Sequence, residues 1–150
     1  MGNRYVVQRT NITPTAGNDV VTIVTAASRR ARVVQVTVGG LGSTSAAQQL
    51  ILARSTGGTT GGGAITPDKF EHTDQPAASS TVNTTWAAQP TLGTNGVTLG
   101  WNALGGAIVW NAPAGGNRIE ARNAENISLR ANSTGVTYQA LSASVIFEED

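Results

Sequence analysis

Ten of the eighteen glycines lie between Ser55 and Gly106, in a stretch otherwise rich in Thr, Ser, Ala and Pro, and strand-like sequence stands on both sides of it. Glycine and proline are the poorest helix formers, and threonine is close behind. The middle of the chain therefore excludes ordinary helices and reads as a long-loop region at about residues 55–106. A continuous catalytic scaffold rarely interrupts itself in this way, whereas a protein that binds or covers a surface through extended loops often does.

The flanking sequence alternates as strands do. Candidates run from Arg4 to Arg9, from Asp19 to Thr25 and from Ala31 to Val38. The second has enough Val and Ile to be buried on both faces. In the third, Val34, Val36 and Val38 fall on one face, and Val33, Gln35 and Thr37 fall on the other. Ser43 is able to cap a short helix to Gln49, but a strand from Gln48 to Ser55 is favoured because the run is too short for a stable helix. Within the middle region, Gly57 to Gly63 reads as a flexible loop leading to the charged group Asp68, Lys69, Glu71, His72 and Asp74. Short strands at Thr81 to Trp86 and Gly96 to Trp101 flank an Asn95-Gly96 turn pair, which sets Trp86 and Trp101 as cross-strand partners. Ala107 to Trp110, Arg118 to Arg122 and Asn126 to Ala131 follow, with a turn at Asn111-Ala-Pro-Ala-Gly-Gly-Asn. The longest strand is expected from Val136 to Phe147. Roughly eight or nine strands without a long helix predict an all-β fold, an antiparallel β-sandwich of jelly-roll type with long loops.

At 150 residues the chain suits one domain with one core. With no cysteine, neither disulfides nor cysteine metal sites contribute stability. Charged residues make up 13% of the chain, about half the usual share. The net charge of +1 hides an asymmetry: residues 1–66 hold six arginines against Asp19, a balance of +5, and residues 67–150 hold four basic and eight acidic groups, a balance of −4. Only Arg29, Arg30 and Arg32 cluster. Nucleic-acid binding wants a denser cationic strip, and arginine is equally the partner of carboxylates at protein contacts, so ion pairing within or between subunits is the expectation. The N-terminus lacks the apolar core of a secretory signal, and the longest apolar runs fall short of a membrane helix, so no membrane partner is expected.

The motif search returns no enzyme. Gly57 to Gly63 lacks the Lys-Ser/Thr ending of a nucleotide loop. Glu71, His72 and Asp74 match no strong metal spacing, and with a single histidine only one triad base exists. No catalytic residue, metal ligand or cofactor is assigned. The protein-contact candidates are instead Arg29, Arg30 and Arg32; Lys69, Glu71 and Asp74; and the terminal Glu148, Glu149 and Asp150, which end a strand in solvent or meet a partner's arginines. Trp86, Trp101 and Trp110 are aromatic candidates for a sugar or protein contact, with packing in the core as the alternative for each.

The runs RYVVQRTNITPTAGNDVVTIVTAASRRARVVQVTVGG, GGGAITPDKFEHTDQPAASSTVNTTWAAQPTL and IEARNAENISLRANSTGVTYQALSASVIFEED together resemble small virion structural proteins of tailed bacteriophages, particularly jelly-roll decoration or cement proteins. The resemblance implies a non-enzymatic protein, often a homotrimer, made in the host cytoplasm and placed on the outer capsid surface. There it binds junctions between major capsid protein subunits. It transfers no individual binding residue. A phage tail or fibre-associated carbohydrate-binding adhesin is the alternative.

Overall fold

The computed structural model describes residues 2–115, 118–123, 125–133 and 135–150. Among these residues eight strands build the body: β1 (Asn3–Ile12), β2 (Asp19–Val24), β3 (Arg30–Gly40), β4 (Ala47–Thr56), β9 (Thr91–Asn102), β10 (Ala107–Asn111), β12 (Glu125–Ala131) and β13 (Leu141–Glu149). One sheet runs β10–β3–β13–β1 and the other β2–β12–β4–β9, with antiparallel neighbours throughout. Along the chain, consecutive body strands switch sheets at every step except β4 to β9. That order is the jelly roll.

Alternation places the core. Val36, Val38, Leu141, Val145, Phe147, Tyr5 and Val7 face inward from the first sheet, and Ile23, Ile127, Leu129, Leu50, Leu52 and Leu99 from the second. The Tyr5 and Phe147 rings lie 5.5 Å apart, opposite one another on neighbouring strands. β4 already begins at Ala47, within the alternative Ser43 to Gln49 helix, and its alternation puts Leu50 and Leu52 on the buried side.

Bulges correct the simple period-two reading. On β3 the register against β13 slips between Gln35 and Val33, so Val33 joins Val36 and Val38 in the core while Val34 stays only half-buried outside. One inserted residue reverses the facing of everything beyond it. A second bulge lies in β1 between Arg9 and Ile12, where Asn11 takes a φ of 50°, a conformation asparagine tolerates. Asn95-Gly96 lies inside β9, beside a bulge opposite Ala53 and Ser55, and makes no hairpin turn. The expected strand start at Val136 is also displaced, since pairing begins at Leu141. Residues 136–140 cross between the sheets, and the Tyr138 hydroxyl ties that crossing to Gln49 O. Of the turn expected at Asn111 to Asn117, Gly116 and Asn117 lie outside the described residues.

Between β4 and β9 the glycine-rich insertion is itself built of short strands: β5 (Thr59–Gly62), β6 (Asp68–Lys69), β7 (Thr81–Asn83) and β8 (Thr85–Ala88). The Gly57 to Gly63 loop of the sequence reading is thus partly a strand. β5 pairs with β8, β6 extends the first sheet beside β1, and β7 extends the second beside β2. The insertion therefore covers both sheet edges on one flank. On the opposite flank β10 is continued along β3 by β11 (Glu120–Arg122).

Candidate functional site

The β5–β8 ribbon lies over the outer face of the second sheet and turns strands that would be half exposed into buried ones. β2 shows the effect: Thr22 faces away from the core yet is fully buried. Beneath the ribbon, the Asp19 carboxylate accepts hydrogen bonds from Thr22 Oγ1 and Ser128 Oγ, both at 2.6 Å, and from Arg130 Nε at 2.6 Å. Ser55 Oγ lies 2.7 Å from Ser128 Oγ. The ribbon binds this network directly. Trp86 Nε1 donates to Thr22 Oγ1, Arg130 donates to Pro90 O, and Gln89 Oε1 accepts from the Asp19 amide. Glycine is required where the ribbon passes Trp86: a Cβ on Gly58, whose φ is +92°, would stand 2.8 Å from the indole ring. Trp86 is therefore not the cross-strand partner of Trp101, because it pairs through β8 with Gly61 while Trp101 lies opposite Gln48.

The charge asymmetry resolves within the chain. Among the described residues six of the seven ion pairs join residues 1–66 to residues 67–150, and five of these pair an arginine of the first stretch with an acid of the second. Across the end of the first sheet, Arg4, Glu148, Arg32 and Glu120 stand in one cross-strand row. Arg32 contacts both Glu148 and Asp150, and Arg30 meets Asp150 at 2.9 Å. Four of the contact candidates, Arg30, Arg32, Glu148 and Asp150, are thus brought together as a seam in one molecule. The acidic terminus does not end in solvent: Glu148 and Glu149 are buried, with Glu148 accepting from the Gly2 amide. Arg29 is exposed beside this seam.

Glu149 closes the insertion against β13. Its carboxylate accepts the Ser79 and Ser80 amides at 2.9 and 2.7 Å. Burial pushes its pKa up, but the Ser80 hydroxyl, these two amides and the charge of Arg29 outweigh burial and hold it below the ordinary value. In the neighbouring loop Lys69 donates to Thr73 O, Glu71 lies 3.9 Å from Arg4, and Asp74 is exposed. Buried Gln75 anchors the loop by donating to Arg4 O. Among the described residues no three His, Asp or Glu side chains converge on a point where a metal would sit.

Trp101 and Trp110 pack partly buried against the core. Trp101 Nε1 is buried without a hydrogen-bond partner among the described residues. Among the described residues, clefts open beside β9 and beside the ribbon. One of about 770 Å³ lies between the β9 bulge and the start of β11, with Arg54, Asn95, Arg118 and Glu120 in its walls. The other, about 400 Å³, lies beside the ribbon and is lined by Trp86, Arg9, Thr13, Thr15, Asn18 and Gln89 among others.

The Asp19–Arg130 network is the feature sequence reading missed. Its signal was present: Asp19 is the lone acid of residues 1–66, and it opens a strand apolar enough to be buried on both faces. Such a strand in a two-sheet sandwich demands a third layer. Comparison with protein families, with curated proteins and with solved structures finds no match.

Two outcomes follow. Asp19→Ala leaves the Arg130 guanidinium and two hydroxyls without their acceptor and is expected to cost about 3–5 kcal/mol in urea denaturation, with tryptophan emission shifting red as the ribbon loosens. Because the Glu149 pKa is lowered on folding, its contribution is complete above the ordinary carboxylate value and is lost as pH falls through the folded one. The stability gap between the wild type and Glu149→Gln is therefore widest near neutrality and closes in acid.

Proposed function

We propose that the chain is a non-enzymatic decoration protein that binds and stabilises the outer surface of a bacteriophage's major capsid shell. The observation that supports this reading most is the outside of the β10–β3–β13–β1 sheet. Beyond the charged seam its outward rows on these four strands are Val6, Ile146, Gln35 and Asn111; then Gln8, Ser144, Thr37 and Val109; then Ser142, Gly39 and Ala107, with Asp68 of β6 opposite Val6 at the border. None of those on the four strands is charged, and Val109 is 50% exposed. Across these four strands such a surface is cheap to dehydrate, because its ions stand only at the border, and its small side chains allow close approach to a flat partner. The charges of the neighbouring seam are paired within the chain. The sequence resemblance to cement proteins points the same way.

The test is cosedimentation of the purified chain with mature capsids that carry or lack their surface proteins, followed by electron microscopy. Saturable binding to the stripped shells at fixed positions is expected, and Ser144→Lys should weaken it while leaving stability within about 0.5 kcal/mol. Absence of binding to any shell would overturn the reading.

The cleft beside Trp86 favours a second reading, a carbohydrate-binding adhesin module of a phage tail or fibre. An indole beside amide, hydroxyl and guanidinium groups suits a saccharide, which offers one apolar face and a rim of hydroxyls. Titration with host-surface oligosaccharides should then change tryptophan emission, with Thr15→Ala reducing the change. A flat response across the oligosaccharides sinks this alternative and leaves the capsid reading intact.

A further inference from the structure

The two flanks of the sandwich are finished unequally. On one, β6 covers β1 and β7 covers β2. On the other, β9 and β10 are the last strands of their sheets among the described residues. β9 is twelve residues long and contains neither a charged residue nor a proline. Natural sheet edges are ordinarily blunted by lysine, proline, bulges or a covering segment. Here a bulge opposite Ala53 and Ser55 interrupts only the early part of the strand, and Gly96 to Asn102 runs regularly beside β4.

Backbone parity shows what this edge offers. The Ala103 amide donates to Ala46 O on the β4 side. Alternation then directs the backbone groups of Val97, Leu99 and Trp101 toward β4, and those of Thr98 and Gly100 away from it. The carbonyl of Asn102 is already taken by the Gly105 amide. Thr98 and Gly100 are both exposed, so a short row of donors and acceptors faces outward, ready for one more strand.

We propose that the strand it takes is β9 of a second copy, antiparallel about a two-fold axis through Thr98. Thr98 then stands opposite its own equivalent, Gly96 of one copy opposite Gly100 of the other, and Val97 opposite Leu99. The segment is its own complement in this register. Glycine meets glycine and removes any steric barrier, apolar residues meet on the core side, and no charge faces a like charge. A two-fold contact demands this self-complementarity, because the same patch serves on both copies. The two five-stranded sheets become one continuous sheet, and the open edge disappears. The inference does not rest on the capsid reading and survives its failure.

Sedimentation and light scattering across concentration, with hydrogen exchange, test it on the full chain. The wild type is expected to form dimers with slowed exchange at the Thr98 and Gly100 amides. Gly100→Pro removes an outward donor at a position without positive φ, where the nearest atom to an added Cβ, Gln48 O, is 3.8 Å away. It should weaken dimerisation by roughly tenfold or more while keeping the fold. Thr98→Lys, which leaves the backbone untouched, should do the same and stands in if the proline variant fails to fold. A wild-type monomer at every concentration with fast exchange at both amides overturns the proposal. So does a dimer, or a ring of three copies, whose mass both variants leave unchanged.

Discussion

The Asp19 carboxylate, held under the ribbon by two hydroxyls and a guanidinium, is the point on which the arrangement of the insertion depends. A jelly roll needs only two faces of apolar side chains meeting in the middle, and the core supplies that without help. The outer face of the second sheet is different, because Thr22, Ser55, Asn126 and Ser128 are polar and nevertheless buried. Buried polar groups are tolerable only when paired. Asp19 accepts from three of its neighbours, and Trp86, Gln89 and Pro90 meet the network from above. Apart from Trp86, a ribbon of glycine, threonine and alanine has little apolar area with which to hold itself down. Its attachment comes from hydrogen bonds made in a water-poor layer.

That attachment decides the rest of the architecture. With β5 and β8 fixed on the second sheet, the chain between them must leave and return, and it does so along one flank. There β6 and β7 complete the two sheets while Gln75 and Glu149 pin the loop through backbone groups of Arg4, Ser79 and Ser80. The insertion thus acts as a third layer and as an edge cover together. Nothing comparable reaches the flank of β9 and β10 among the described residues, and the difference between the flanks follows from where one polar network sits.

Most of the body was legible because period-two alternation is a local property. Leu50 and Leu52 facing inward, or Ile127 and Leu129 facing away from Ser128 and Arg130, required only the spacing of side chains. What failed depended on distant parts of the chain. The bulge at Val34 and Gln35 is set by pairing with β13, so the valines of β3 were divided at the wrong point. Asn95-Gly96 has the chemistry of a hairpin turn, but β4 is long enough to keep β9 paired on both sides of it, and the turn propensity is absorbed as a bulge. Trp86 and Trp101 were matched by proximity in sequence, whereas the indole of Trp86 is bound to a threonine sixty-four residues away. The terminal acids read as solvent-exposed because charge usually is, and only the fold brings arginines and amides to them.

Charge economy joins these features. A chain with 13% charged residues has few ions to spend, and this one uses most of them on itself. Of its nine acids, six stand in ion pairs and Glu149 is held by amides, which leaves Asp68 and Asp74 without an ion pair among the described residues. Steering by long-range fields, the usual benefit of surface charge, is therefore weak. The contacts proposed for the outside of the first sheet and for the β9 edge would rely on shape, small side chains and backbone hydrogen bonds. Such contacts form slowly and depend little on salt. They suit the proposed shell, a partner that is large, repeated and stationary, better than one that must be captured from dilute solution.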